Sequence, residues 1–213
     1  MGRYAHLAYT ESVRRAQEEN GSAQVGLRAL AQGDPGPDPL GPDEAAFIRG
    51  RDGFYLASVG ETGWPYVQYR GGPPGFVHLL DEATLAWAEV RGNRQYITTG
   101  NLAADGRVSL FFMDYARQAR LKLFGRARTL PLAEDPGTAR VVDGVRSDGP
   151  VERLTVVAVE GLNWNCSRHI TPRYSQAELA ESLAPVRARI TALERENERL
   201  RARLAERDAP DPR

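Results

Sequence analysis

Residues 54–70, FYLASVGETGWPYVQYR, decide the fold class of this 213-residue chain. Two runs with the composition of β-strands, residues 54–59 and 65–70, flank the short glycine-containing connection at residues 60–63. Such runs on either side of a tight connection are typical of a β-hairpin. The stretch therefore predicts an antiparallel strand pair at the centre of the fold.

Further strand patterns surround this hairpin. A second hairpin is predicted around Asp81-Glu82, and later strands are predicted at residues 107–113, 121–130 and 154–159. One clear helix, at residues 93–103, lies between the strands, whereas a parallel doubly wound sheet needs a helix between most of them. The pattern predicts a mainly β, α+β domain, in which six antiparallel strands form a small barrel with flanking helices.

Three parts of the chain differ in composition. Residues 1–42 carry a helix at residues 10–20, which Thr10 caps, and then a Pro/Gly-rich arm at residues 33–42. Residues 43–174 hold the barrel and begin with a short helix from Asp43 to Ile48. Residues 175–213 form a C-terminal helix, for which Ser175 and Glu178 provide a capping box.

The C-terminal helix carries a heptad pattern. Pro185 is predicted to restart this helix, because proline is tolerated in a first turn and not in a helix interior. Position a is occupied by Leu183, Ile190, Asn197 and Leu204, and position d by Leu179, Val186, Leu193 and Leu200. A lone Asn at position a favours a two-stranded parallel coiled coil. The alternative is an amphipathic helix that packs on its own barrel.

Composition excludes several classes of function. The formal net charge is zero, so no overall attraction to nucleic acid or to an anionic membrane is expected. No apolar run reaches the roughly 18–20 residues that a membrane span needs. The start of the chain lacks a signal-peptide pattern, and the single cysteine, Cys166, cannot form an intrachain disulfide. We expect a cytoplasmic protein in which Cys166 is a buried free thiol, with no metal site, P-loop or Ser-His-Asp motif.

Residues 47–129 resemble the pyridoxamine 5'-phosphate oxidase-like FMN-binding split-barrel family, and further similarity extends over most of the chain. The resemblance rests on ETGWPYVQ at 61–68, RGGP at 70–73, RGNRQYI at 91–97, RLK at 120–122, and NC with HITPR within 165–173. It implies a split barrel, FMN as cofactor, and a homodimer that acts on a small-molecule substrate. The chain departs from this pattern at Tyr69, usually His, and at Ser167, usually Pro. The phosphate-binding Ser-Arg-Lys of the oxidase itself corresponds to Asn93-Arg94-Gln95 here.

A phosphate site is predicted after the second hairpin. Gly92, Asn93, Arg94 and Gln95 lie at a strand-to-helix turn, where backbone N–H groups and the positive helix end favour an anion. Arg94 adds a planar guanidinium suited to phosphate, and Arg91 is a further candidate. The alternative is a capped helix with charges that face solvent.

Two strands provide the other candidate ligands of the flavin. Tyr66, Gln68 and Arg70 alternate with Val67 and Tyr69, so we expect the polar set to line a groove and the other set to face the core. The resemblance implies that this strand runs along the flavin ring. Arg70 could then stabilise the negative charge of reduced flavin. The resemblance places Arg120 and Lys122, which share one strand face, near the phosphate and ribityl end. The alternatives are an exposed strand face and a surface pair of cations.

The C-terminal element supplies the remaining candidates. The resemblance implies that Trp164 and Arg173 reach the flavin of the other subunit, and it makes Tyr69 and His169 candidate substrate contacts. No catalytic acid or base emerges, which suits hydride chemistry at a flavin. The leading hypothesis is an FMN-dependent oxidoreductase. The alternatives are a non-catalytic flavin carrier or sensor, and a split barrel that binds a deazaflavin or haem.

Overall fold

The computed structural model describes residues 2–31, 36–143, 149–164 and 168–207. The chain divides into two compact units, Met1–Ile170 and Thr171–Arg213. Cys166 and Ser167 lie outside the described residues. No helix within the described ranges combines the length and the apolar character that crossing a membrane requires.

In the described part of the chain, four helices precede the sheet: α1 (Arg3–Ala8), α2 (Glu11–Glu19), α3 (Ala23–Ala31) and α4 (Pro42–Arg49). Thr10 caps α2 as predicted, since its Oγ1 accepts a hydrogen bond from Val13 N at 3.4 Å. The N-cap of α4 is Gly41 rather than the predicted Asp43. Pro42 is suited to the first helical position, and Glu44 Oε2 accepts a hydrogen bond from Gly41 N at 3.0 Å.

Seven strands among the described residues form one antiparallel sheet. The elements in chain order are β1 (Gly53–Val59), β2 (Pro65–Gly71), β3 (His78–Leu79), β4 (Thr84–Val90), α5 (Ile97–Ala104), β5 (Arg107–Asp114), β6 (Ala119–Pro131), α6 (Pro136–Val142) and β7 (Val151–Trp164). The strand order is β2-β1-β5-β6-β7-β4-β3. The predicted count of six strands is wrong: the two predicted hairpins and the three later strands already make seven, and the described sheet has seven strands. The predicted first hairpin is confirmed, with Phe54 opposite Arg70 and Val59 opposite Pro65.

The sheet curls around the larger of two hydrophobic clusters. β1 and β4 are separated in the sheet by β5, β6 and β7, yet the rings of Phe54 on β1 and Trp87 on β4 lie 5.2 Å apart. Phe54 also stacks on Phe112 of β5 at 4.7 Å, and all three rings are fully buried. Burial of these large aromatic side chains supplies much of the hydrophobic free energy of folding. The predicted fold class, an α+β split barrel with flanking helices and a long C-terminal helix, is confirmed.

The Pro/Gly-rich arm connects the N-terminal helix to the barrel through one carboxylate. Asp38 is 4% exposed and accepts hydrogen bonds from the backbone N–H groups of Gly2 (2.7 Å), Arg3 (3.2 Å), Tyr4 (3.1 Å) and Leu162 (3.0 Å). Burial disfavours ionisation of Asp38, but these four donors outweigh burial and hold its pKa below the ordinary value. Asp38 therefore caps α1 and ties it to β7.

The described part of the C-terminal unit contains one helix, α7 (Gln176–Arg207), of 32 residues. The predicted capping box is confirmed: Ser175 N donates to Glu178 Oε2 at 2.7 Å, and Glu178 N donates to Ser175 Oγ at 3.2 Å. The predicted restart at Pro185 is wrong, because Pro185 lies inside the continuous helix. One missing backbone hydrogen bond does not end a helix in which the turns on both sides continue regular bonding.

Candidate functional site

An open cleft lies where the curled sheet brings the edge strand β2 close to β4 and β7. Its walls come from β2, the end of β4, the loop before α5, the first turn of α5, and β7. The lining residues are Tyr66, Gln68, Arg70, Glu89, Val90, Gly92, Asn93, Arg94, Gln95, Tyr96, Ile97, Thr98, Thr99, Glu152 and Arg153. The cleft thus brings together seven of the fourteen predicted site residues.

The β2 wall is polar and partly fixed. Gln68 Oε1 accepts hydrogen bonds from Tyr66 Oη and from Thr98 Oγ1, both at 3.3 Å. Because both hydroxyls donate to the amide oxygen, the orientation of the amide is set and Nε2 remains a donor. No acceptor for Gln68 Nε2 occurs among the described residues. Gln68 can therefore donate a hydrogen bond to a polar ligand edge.

The other face of β2 does not pack in the core as expected. Val67 is 60% exposed and Tyr69 is 54% exposed. The exposure of these two side chains shows that no described element covers this face of β2. The ring of Tyr69 lies against Gly53 and Gly71, where a Cβ would meet it, and forms an edge contact with Tyr55 at 5.6 Å. Tyr69 consequently lies on the sheet face opposite the polar wall of the cleft.

The loop before α5 differs from the predicted helix over residues 93–103. Helix α5 starts four residues later, at Ile97. Asn93 Oδ1 accepts a hydrogen bond from Gln95 N at 3.1 Å, and this local bond replaces helical bonding there. Arg94 and Tyr96 adopt left-handed φ values of 62° and 51°. Such conformations are uncommon for non-glycine residues and concentrate at ligand sites.

The start of α5 can still attract an anion. Its N-cap residue, Tyr96, makes no side-chain cap hydrogen bond. The residues of the first turn, from Ile97 to Thr99, line the cleft. Uncapped N–H groups and the helix dipole together favour negative charge at such a position.

Two arginines bring positive charge to this end of the cleft. The Arg94 side chain is exposed, and no hydrogen-bond or ion-pair partner for it occurs in the described part of the chain. The guanidinium of Arg153 lies 4.7 Å from the ring centroid of Tyr96 and donates from Nη1 to Thr99 Oγ1 at 3.4 Å. The stacking on Tyr96 orients Arg153, and Glu152 Oε2 at 3.9 Å from its Nη2 offsets only part of its charge. Arg94 and Arg153 are therefore the cations best placed for an anionic ligand.

A buried ion pair lies deeper in the cleft. Arg70 Nε is 3.3 Å from Glu89 Oε1, and both side chains are only 16% exposed. The same carboxylate oxygen accepts hydrogen bonds from Trp87 Nε1 at 2.8 Å and from Thr155 Oγ1 at 3.0 Å. Arg70 Nε is buried without hydrogen-bond geometry to any acceptor among the described residues. Glu89 therefore offsets much of the charge that the sequence assigned to Arg70.

Glu152 and Arg153 come from an irregular position on β7. Glu89 pairs with Arg153 and Val90 with Val151, so Glu152 is an extra, bulged residue. Bulges re-aim side chains and are common beside active sites. Glu152 Oε1 accepts from Arg91 Nε at 2.7 Å, which holds Arg91 outside the lining of the cleft. The bonds from Arg91, and then those from Tyr96, lower the pKa of Glu152.

The described lining of the cleft carries a surplus of positive charge. Three arginines (Arg70, Arg94, Arg153) and two glutamates (Glu89, Glu152) line the cleft, which leaves a surplus of one positive charge. Arg91, which is paired with Glu152 beside the lining, raises the surplus to two. Sequence reasoning missed Glu89, Glu152, Arg153 and Thr98. Glu89 is the single charged residue of the largely apolar strand β4, which is a signal in the sequence, but no local pattern marked Glu152 or Arg153.

Arg120 and Lys122 lie on β6 outside the lining of the cleft. They stand opposite Met113 and Phe111 of β5, and their neighbours Leu121 and Leu123 are fully buried on the other face. Arg120 Nε is buried without a hydrogen-bond partner in the described chain. Burial, and then the charge of Arg120, lower the pKa of Lys122. A role for these two cations at a flavin stays a prediction.

The C-terminal candidates also lie outside the lining of the cleft. Trp164 Nε1 donates to Glu44 Oε1 at 2.6 Å, and its ring meets Phe47 edge-on at 4.7 Å, so Trp164 packs against α4. His169 is exposed in a turn with a φ of 66°. Arg173 belongs to the second unit. The predicted roles of these three residues and of Tyr69 stay predictions. Within the described ranges, no three His, Cys, Asp or Glu side chains cluster as metal ligands.

Comparison with known proteins gives one family match. The model of the family described as pyridoxamine 5'-phosphate oxidase matches residues 40–160, which is more than half of the chain and includes every residue that lines the cleft. A search of curated proteins found no match.

Several solved structures have a fold similar to the barrel, although their sequence identity to this chain is low. HupZ of Group A Streptococcus is 16% identical, with 63% of this chain and 98% of HupZ covered and a TM-score of 0.48. An FMN-binding protein of Syntrophomonas wolfei is 12% identical, with 58% and 85% covered and a TM-score of 0.44. The haem storage protein HutZ of Vibrio cholerae is 18% identical, with 59% and 94% covered and a TM-score of 0.38.

Proposed function

We propose a function from one premise, which is that the chain belongs to the pyridoxamine 5'-phosphate oxidase family. The protein binds FMN in the cleft between β2 and the start of α5, and it acts as an FMN-dependent oxidoreductase on a small-molecule substrate. One observation carries this proposal: the polar strand face, the uncapped helix start and Arg94, which pairs with no described residue, line the same cleft.

The α5 end of the cleft suits a phosphate dianion. Arg94 is free to form charge-assisted hydrogen bonds, because no described residue pairs with it. Arg153 and the first turn of α5 add a second cation and backbone donors beside it. The surplus of positive charge near this end offsets the charge of a phosphate monoester. These features support Arg94 and Arg153 as the phosphate ligands.

The β2 wall suits the remainder of FMN. Tyr66, Gln68 and Arg70 follow one another along one strand face. Gln68 and Arg70 present donors to an extended, flat ligand, and the Tyr66 oxygen, whose proton goes to Gln68, can accept. Gln68 is oriented by two hydroxyl donors, so its amide N–H groups can bind a carbonyl or nitrogen on the ring edge. Glu89 limits how strongly Arg70 can stabilise negative charge on the ring.

Bound FMN supplies the hydride or electron transfer, and the protein supplies binding, orientation and electrostatics. The described cleft offers two carboxylates, Glu89 and Glu152, and both are held by cations. They serve better to orient arginines than to accept a proton. This arrangement supports redox chemistry at the cofactor rather than general acid–base catalysis by the chain.

A second copy of the chain is part of this proposal. The family resemblance implies a homodimer, and the outer face of β1 and β2 exposes Tyr55, Val67 and Tyr69 together. On β5 and β6 the same face continues through Phe111 to Lys122, which are neighbours in register. An apolar face of this kind supports an isologous contact between barrels.

The test of turnover is anaerobic reduction of the reconstituted protein. FMN-loaded protein is mixed with NADH or NADPH, and the loss of the blue flavin band is followed, with free FMN and the same nucleotide as control. We expect the band to bleach faster on the protein than in free solution. Tight FMN binding with no acceleration by either nucleotide would contradict the oxidoreductase proposal with these reductants and favour a flavin carrier or sensor.

A further inference from the structure

The C-terminal helix leaves its apolar stripe uncovered. Seven residues of α7 at heptad positions a and d are between 43% and 52% exposed: Leu179, Leu183, Val186, Ile190, Leu193, Leu200 and Leu204. They recur with alternating steps of three and four residues, interrupted only by Asn197. A continuous stripe of large aliphatic side chains on a 32-residue helix is costly to leave in water.

We propose that α7 pairs with α7 of a second copy of this chain in a parallel, two-stranded coiled coil. In parallel pairing, positions a face each other and positions d face each other across the seam. The eight positions span Leu179 to Leu204, and each aliphatic residue then packs against its own counterpart. This interface goes beyond the cofactor site, and it stands or falls independently of FMN binding.

Asn197 selects the parallel arrangement over the antiparallel one. In a parallel pair, the Asn197 side chains of the two copies meet at position a, and each amide can donate to the other. In an antiparallel pair, position a faces position d, so Asn197 would lie against a leucine or valine and leave a buried amide without a partner. An unpaired buried polar group costs about 1–3 kcal/mol.

The charges beside the seam also complement each other in the parallel pair. Arg189 at position g of one copy faces Glu194 at position e of the other. Glu196 at position g likewise faces Arg201 at position e, and the two-fold symmetry doubles both pairs. Within one chain, Glu196 Oε1 accepts a hydrogen bond from Arg199 Nη2 at 2.9 Å. The Glu196 carboxylate is therefore already oriented before it meets Arg201 of the second copy.

Pro185 does not obstruct this pairing. It occupies heptad position c, on the side of the helix away from the seam, while Leu183 and Val186 on either side occupy a and d. The helix continues through it to Arg207. The seam therefore runs without a break from Leu179 past Asn197.

Disulfide trapping in the full-length chain tests the register directly. In a Cys166→Ser background, Leu193→Cys places a thiol at seam position d and keeps Asn197, and the matched control Ala202→Cys places one at the outward position f. A disulfide requires Cα atoms within about 4.4–6.8 Å, so we expect at least about tenfold more disulfide-linked dimer for Leu193→Cys than for Ala202→Cys in a glutathione redox buffer. Circular dichroism confirms that both variants keep their helix content.

Two results would overturn the parallel coil. If Leu193→Cys gives no linked dimer, the seam is absent or antiparallel. If both cysteines link to the same extent, the thiols meet by unspecific collision, as they would where only the barrels associate.

Charge exchange provides a second, independent test. In the Leu193→Cys background, one chain carries Arg189→Glu and Arg201→Glu, and a differently tagged chain carries Glu194→Arg and Glu196→Arg. Each variant repels itself at e and g, whereas the mixed pair restores all four attractive contacts. Coexpression should therefore give more mixed than self-linked disulfide dimer, and a purely statistical mixture would contradict the coil.

Discussion

Replacing Arg94 by Ala probes the phosphate end of the cleft most directly. The Arg94 side chain lies beside the uncapped start of α5 and has no partner in the described part of the chain. Its removal therefore breaks no interaction within the described protein. Any loss of affinity should come from the ligand contact itself.

The expected magnitude follows from the kind of contact that is lost. A hydrogen bond to a charged group contributes about 1.5–3 kcal/mol, which corresponds to a roughly 10- to 150-fold weaker FMN affinity. Arg94 is exposed, so we expect the lower half of this range at physiological salt. Riboflavin lacks the phosphate, and its affinity should stay within about twofold of that of the unmodified protein.

Quenching of flavin fluorescence gives both dissociation constants for Arg94→Ala and for the matched control Arg91→Ala. Arg91 precedes Arg94 by three positions, but Glu152 holds its side chain outside the lining of the cleft. Its replacement should therefore change FMN affinity by less than about threefold. Unchanged FMN affinity in Arg94→Ala would refute the phosphate assignment. Equal losses for FMN and riboflavin would show that Arg94 acts through the loop conformation instead.

Three further predictions address the electrostatics of the cleft and the packing of the N-terminal arm. Glu89→Gln leaves the charge of Arg70 uncompensated, so the midpoint potential of bound FMN should rise by about 30 mV, equivalent to about 1.4 kcal/mol for a two-electron couple. Spectroelectrochemistry measures this potential, and an unchanged or lower value would contradict the role assigned to the ion pair. Asp38→Asn removes a carboxylate that four backbone N–H groups stabilise, and urea unfolding near neutral pH should show a loss of about 2–4 kcal/mol. Because the pKa of Asp38 is lowered in the folded state, its stabilisation is complete above the unfolded pKa of about 3.9 and disappears as pH falls through the folded pKa. The deficit of the variant should therefore shrink below about pH 4, and a deficit independent of pH would contradict the ionised state. Gly161→Ala places a Cβ 2.7–2.8 Å from backbone atoms of α1 and should lower the free energy of unfolding by about 1–3 kcal/mol. In the control Gly137→Ala in α6, the new Cβ meets only an ordinary contact at 3.5 Å, so the free energy of unfolding should stay the same or rise. Equal unfolding midpoints for these two glycine variants would contradict the close approach of α1 to β7.

The strands of the barrel could be predicted from sequence because local patterns determine them. The hairpin at residues 54–70 has its strand residues and its glycine-containing turn in one continuous stretch, and its register follows from the turn. Helix ends were less predictable. Asn93 looked like a helix start, yet its side chain bonds Gln95 N and delays the helix to Ile97.

The candidate site was predictable on one side only. The β2 wall and the loop at Gly92–Gln95 are each a continuous stretch of sequence that resembles a family motif, so their residues could be named in advance. Arg153 enters the same cleft from a strand about 60 residues later, beside a bulge that alternation does not reveal. The neutralisation of Arg70 by Glu89 likewise depends on the curling of the sheet, which joins strands far apart in its order.

The central claim is that the cleft binds FMN, and an absorption spectrum tests it most directly. Purified protein is measured as isolated, and again after incubation with FMN and desalting. The account predicts that the twin flavin bands are retained after desalting at about one FMN per chain. A spectrum without flavin bands, or one with the bands of a deazaflavin or haem, would contradict the account.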